Sequence, residues 1–166
     1  RSSATPSAAE QAAFESIKGW LTDPNGPVCA LPDFDRPFYL LCDAASTVGA
    51  GVALVQRDDA GFERVVAYWS RRWQEAESRW TSLEHECATV YEGIKRFSMY
   101  LHGAKFFVIT DAEPLVWLRQ MKSPKGKFAT WIGELNVYDY DVIHRPGDLN
   151  RVADLLSATA SRPTGV

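Results

Sequence analysis

Two apolar runs that each close on an aspartate, FYLLCD (Phe38–Asp43) and KFFVITD (Lys105–Asp111), flank one long amphipathic stripe. Leu83, Cys87, Val90, Ile94, Phe97 and Leu101 recur there at steps of three and four residues, so the spacing predicts a helix from Glu77 to about Tyr100. A helix between two strands is the usual crossover joining parallel neighbours. If the two runs are such neighbours, Asp43 and Asp111 leave the sheet at one edge, where functional groups gather in open α/β sheets. A strand-end aspartate also commonly does no more than start a turn. The pair alone leaves both readings open.

The rest of the chain is consistent with a mixed sheet carrying helices on its faces. Strands are expected at Phe38–Cys42, Gly51–Gln56 and Arg64–Trp69, the last two joined by the hairpin loop RDDAGFE into an antiparallel meander. Glu113–Gln120 reads as a short helix with Pro114 in its first turn. MKSPKGK (Met121–Lys127) reads as a basic loop, Phe128–Asn136 as a helix, Tyr140–His144 as a strand and Asn150–Ala158 as a final helix. Ahead of all this, AEQAAFESIKGWL carries Phe14, Ile17, Trp20 and Leu21 at helical spacing and ends in the turn-forming run Asp23–Pro27.

The helix wheel singles out a third acid. At about 100° per residue, Glu86 falls about 60° from the centre of the apolar stripe, on the rim of the buried face. Glu84 falls on the other side and remains a competitor, and Glu92 points outward. A carboxylate bordering a core needs a cation or metal partner. Asp154, in the first turns of the last helix, is a fourth acid. Four clustered carboxylates repel one another unless neutralised. Mg²⁺ or Mn²⁺, which prefer oxygen ligands, do this well, and two such ions form the arrangement used in in-line phosphodiester cleavage.

Composition sets looser bounds. The 166 residues suit one domain, with 46% hydrophobic residues to build a core. The net charge of −3 counts mildly against a nucleic-acid partner, although a metal-binding acidic cluster would itself lower the total. The three cysteines form no CxxC pair and are odd in number, which argues against a disulfide framework and for a reducing, intracellular setting. No apolar run approaches the roughly 20 residues that cross a bilayer, and no signal segment opens the chain. It starts at Arg1 rather than Met, so a piece of a longer chain is expected.

The blocks CDAAS, SLEHECATVYEGIKRF, KFFVITDAEPLVWL and YDVIHRPGDLNRVADLLS, in that order, resemble the ribonuclease H domain of gypsy-type long-terminal-repeat retrotransposon reverse transcriptases. The resemblance runs from about Leu31 to Ser157, and AFESIKGWLTD with VCALPDF resembles the tether from the polymerase part. It implies an α/β fold with a five-stranded mixed sheet in order 3-2-1-4-5 flanked by helices. It implies a tether at 1–30, a ribonuclease H domain at 31–158 and a tail at 159–166. It also implies two-metal hydrolysis of the RNA strand of RNA–DNA hybrids with Mg²⁺ (two ions) or Mn²⁺. The partners implied are the hybrid and the polymerase part of the same polyprotein, with no membrane, in a cytoplasmic virus-like particle or the nucleus. The family's acidic tetrad falls on Asp43, Glu86, Asp111 and Asp154, and its loop histidine, linked to proton transfer or product release, falls on His144. Two positions depart from the family pattern: CDAAS stands where a TDAS-like turn is common, and Ala112 where His is common. Neither removes a metal ligand.

Hybrid contacts are expected from Lys122, Lys125 and Lys127 in the basic loop, which otherwise is a solvated charged segment, and from Arg145, Asn150 and Arg151 near His144 and Asp154. Trp69, Trp73, Trp80, Trp117 and Trp131 read as packing residues, with base stacking the alternative. Tyr138–Asp141 (YDYD) has the wrong order for a polymerase box, and Glu84–Glu86 (EHE) lacks the second His of a zinc motif. Rival readings are a non-catalytic connection or binding module, an integrase-like strand transferase and a host-adopted copy. Retention of all four acids argues against the first, and the position of Glu86 against the second.

Overall fold

A computed structural model describes residues 7–22, 29–112 and 125–145. The chain divides into two compact units, Arg1–Ala30 and Leu31–Val166. The first carries one helix, α1 (Ala8–Thr22). Its entry is capped by Ser7, whose Oγ accepts from the Glu10 N–H while Glu10 reaches back to the Ser7 N–H at 2.7 Å.

The second unit is built on β1 (Phe38–Ala45), β2 (Gly49–Arg57), β3 (Glu63–Arg72), β4 (Phe106–Thr110) and β5 (Tyr140–His144). They form one five-stranded sheet in the order β3-β2-β1-β4-β5, the expected topology. β1, β2 and β3 are an antiparallel meander, whereas β1–β4 and β4–β5 are parallel. Asp58 shapes the β2–β3 loop by accepting from the N–H groups of Ala60 and Phe62, and Gly61 takes the left-handed φ of +84° that the turn requires.

The crossover from the meander to β4 differs from the single helix expected over Glu77–Tyr100. A 3₁₀ turn, Glu77–Arg79, comes first; α2 then runs Ser82–Arg96, and α3 (Ser98–Leu101) follows a break at Phe97. The late start has a local cause. Thr81 is the N-cap of α2, its hydroxyl accepting from the Glu84 N–H, while the Glu84 carboxylate accepts from the Thr81 N–H at 2.7 Å. Glu84 is thereby committed to a capping box. Thr81→Ala removes half of it and is expected to cost about 1 kcal/mol of stability, read from urea denaturation.

α2 lies on one face of the sheet. Cys87, Val90 and Ile94 join Phe38, Leu40 and Cys42 of β1, Val52 and Leu54 of β2, and Phe106 and Val108 of β4 in the main core. Side chains as fully buried as Ile94 and Leu40 contribute about 1.5–3 kcal/mol each. Gly93 allows the close approach: a Cβ there would sit 3.0 Å from a Val52 methyl. Leu41, Ala53, Val55 and Ile109 are buried on the opposite face. A further helix, α4 (Lys127–Leu135), packs against α2. Among the described residues no helix is long and apolar enough to cross a membrane.

Glu92, expected to point outward, is instead drawn in by β3. The Arg71 guanidinium bonds Glu92 (2.6 Å) and, through two nitrogens, Glu77 (2.6 and 2.8 Å). A wheel built from one helix cannot see a partner arriving from another strand.

Candidate active site

Parallel pairing of β1 with β4 runs from Phe38↔Phe106 to Leu41↔Ile109 and stops, but the antiparallel ladder with β2 continues to Ala45↔Gly49. Asp43 therefore does not follow the strand, as expected from the apolar run. It lies inside β1, opposite Gly51, two residues past the last β4 pair. The strand outlasts its apolar stretch because β2 still supplies hydrogen-bonding partners there. Asp43 is half-buried on that projecting end. Asp111 follows β4 directly and is exposed. Its turn is shaped by Thr110, fully buried, whose hydroxyl accepts from the Ala112 N–H at 3.1 Å.

Glu86 enters from α2 and is only 7% exposed. Its Oε2 is buried without a hydrogen-bond partner. Burial pushes its carboxyl up to about 8, with the negative charges of Asp111 and then Asp43 adding to the rise and the Ala44 N–H opposing it. Three acids from β1, β4 and α2 thus act on one another electrostatically. Among the described residues no three His, Cys, Asp or Glu side chains form a ready-made metal cage. Asp154 lies outside the described residues, as do Asn150, Arg151, Lys122 and Trp117. Even so, the donor set suits a hard divalent cation: an orphaned carboxylate oxygen, in the field of two further carboxylates, is what such an ion would satisfy.

His144 closes β5, as the strand expected over Tyr140–His144 requires, and it is exposed. Its Nε2–H donates to the Asp111 backbone carbonyl at 3.1 Å, so the imidazole stands beside the third acid. The predicted substrate cations are more engaged than expected. Lys127 pairs with Glu84 (3.0 Å) and lies 3.9 Å from the Trp80 ring centre. Arg145 forms two bonds to Glu63, at 2.7 and 3.3 Å. Lys125 is exposed. Among the described tryptophans, Trp69 and Trp131 lie against the core, and Trp73, Trp80 and Trp131 form one aromatic row with His85. Sequence reasoning missed His85. It sits fully buried beside Glu86, its Nε2–H donating to the Glu77 carbonyl at 2.9 Å. On the helix wheel it falls opposite the apolar stripe, so no local signal marks it; it is covered by Trp73 and Trp80, which precede the helix.

A 3-2-1-4-5 sheet with acids at the ends of its first and fourth strands and on the crossover helix defines a ribonuclease H-like domain. Residues 33–138 match the model of the RNase H-like domain found in reverse transcriptase, and the chain belongs to that family. Asp43, Glu86 and Asp111 lie within the match; His144 and Asp154 lie beyond it. The chain is 32% identical over 145 residues to the retrovirus-related Pol polyprotein from transposon 297 of Drosophila melanogaster. It is 35% identical over 147 residues to that from transposon 412 of the same organism. These alignments cover 87% and 89% of this chain but only 13% and 12% of the polyproteins, so it spans a small part of those relatives. Among solved structures, LC11-RNase H1 in complex with an RNA/DNA hybrid aligns with a TM-score of 0.53 at 20% identity, covering 74% of this chain and 94% of that one. At that identity the likeness establishes the fold.

Proposed function

We propose that this domain hydrolyses the RNA strand of RNA–DNA hybrids during reverse transcription, as one segment of a polyprotein whose polymerase part is its natural partner. The observation that carries this reading is the buried Glu86 carboxylate, with an unpartnered oxygen in the field of Asp43 and Asp111. Asp43, Glu86, Asp111 and Asp154 would hold Mg²⁺, with Mn²⁺ as substitute. When bound, a pair of such ions supplies an activated water and positive charge at the leaving oxygen. β1 holds Asp43, the turn directly after β4 carries Asp111, and α2 delivers Glu86 from the side, so little reorganisation remains at the moment of reaction. His144, exposed and bonded to the Asp111 carbonyl, would move a proton or help product leave. Lys125, Lys122, Asn150 and Arg151 remain the candidate hybrid contacts, with Lys127 and Arg145 available only if their carboxylate partners release them. The setting proposed is intracellular, with residues 1–30 as tether, 31–158 as the catalytic domain and 159–166 as tail.

The test is cleavage of a labelled RNA–DNA hybrid by the whole chain with Mg²⁺ or Mn²⁺, at low salt so that phosphate contacts are not screened. Products bearing 5′-phosphate and 3′-hydroxyl ends are expected. Hybrid binding without cleavage under either ion would favour a non-catalytic binding module.

A further inference from the structure

The end of β1 that carries Asp43 projects beyond β4 and faces a buried carboxylate on α2, so something must keep strand end and helix together. One side chain touches both. Trp73, one residue past β3, donates its indole N–H to the Ala45 carbonyl at 2.9 Å, two residues beyond Asp43. The Val48 N–H shares that carbonyl, and the Trp73 N–H itself bonds Val48, so the whole β1–β2 turn hangs on this corner. The Trp73 ring packs against His85, the helix residue immediately before Glu86, with ring centres 4.6 Å apart and the planes tilted by 31°. His85 is fixed in turn through its Nε2–H to the Glu77 carbonyl, and the Arg71 guanidinium, paired with Glu77, lies 4.8 Å over the Trp73 ring.

We propose that Trp73 is a positioning residue for the carboxylate site: its indole N–H ties down the β1 end bearing Asp43, while its ring is packed against the α2 residue next to Glu86. The brace sets the spacing between two carboxylates that otherwise repel. Without it the carboxylates start further from the arrangement a divalent ion needs, and binding must supply the difference. This inference rests on the carboxylates being the metal site.

Trp73→Phe keeps an aromatic ring near His85 and removes the indole N–H together with part of the ring area. Mn²⁺ binding to the whole chain, followed by calorimetry, is expected to weaken about tenfold, the usual cost of losing a support behind a ligand. With hybrid as substrate, kcat should fall, KM should hold, and raising Mg²⁺ should recover kcat. A merely structural tryptophan would lower Tm and leave the Mn²⁺ affinity unmoved. If the wild type binds Mn²⁺ and the variant binds it equally well, the brace is wrong and the site stands. If the wild type neither binds Mn²⁺ nor cleaves hybrid, the site reading fails and takes the brace with it. The wild type alone provides a second measurement, independent of how the variant folds. The Trp73 indole N–H should be protected from solvent exchange and its resonance should move when Mn²⁺'s diamagnetic counterpart Mg²⁺ is added. A freely exchanging, unresponsive indole N–H would overturn the proposal.

Discussion

Asp43→Asn is expected to lower hybrid cleavage by about 10²–10⁴-fold while leaving the fold intact. The substitution is nearly isosteric, and the β1–β2 ladder at this position uses only backbone groups, with Asp43 opposite Gly51. What changes is one unit of negative charge at the projecting strand end. If that charge holds catalytic cations, its removal forfeits several kcal/mol of transition-state stabilisation, at about 1.4 kcal/mol per tenfold in rate. Glu84→Gln is the matched control. Glu84 shares α2 and the EHE triplet with Glu86, but its carboxylate caps the helix and pairs with Lys127. Its loss should cost some stability and leave the rate within about twofold, a difference well under 1 kcal/mol. Full cleavage by Asp43→Asn, or equal losses in both variants, would remove the basis for placing the site at this sheet edge.

Much of this arrangement is legible in the sequence because it depends on local periodicity. Alternating and apolar runs mark the strands, and the spacing of Leu83 to Leu101 marks a crossover helix, which makes β1 and β4 parallel and brings Asp43 and Asp111 to one edge. The same wheel puts Glu86 on the rim of the buried face, where the structure has it. What escapes is decided by partners distant in sequence. β1 runs on through Asp43 because β2 keeps pairing with it after β4 has stopped. Glu92 turns inward because Arg71 arrives from β3. Trp73 looks like any packing tryptophan until Ala45 and His85 are seen on its two sides. The start of α2 is local by contrast: Thr81-x-x-Glu84 is a capping box legible in the sequence, and it sets the helix start at Ser82.

Glu86→Gln should stabilise the metal-free protein even as it abolishes cleavage, and the gain should depend on pH in a defined direction. Burial and the charges of Asp111 and Asp43 raise the Glu86 carboxyl from 4.5 to about 8 in the folded chain. Between those values the folded state holds a proton that the unfolded state has released. By linkage, stability is therefore lost as pH rises through that window, with none of the penalty below 4.5 and all of it above 8. Glutamine has no proton to lose and meets no such penalty. At pH 8 in EDTA the variant is expected to be more stable by on the order of 2–4 kcal/mol, with a Tm higher by about 5–10 °C. At pH 5 the two proteins should nearly coincide. Divalent ion should then close the gap from the other side, because it binds the folded wild type and offsets the same repulsion. A Tm difference that is flat from pH 5 to pH 8, or a wild type that Mg²⁺ does not stabilise at pH 8, would mean that Glu86 is neither charged against its neighbours nor waiting for a cation. The two variants test different halves of one idea: Asp43→Asn asks whether the charge at this edge is used, and Glu86→Gln asks what holding it there costs the fold.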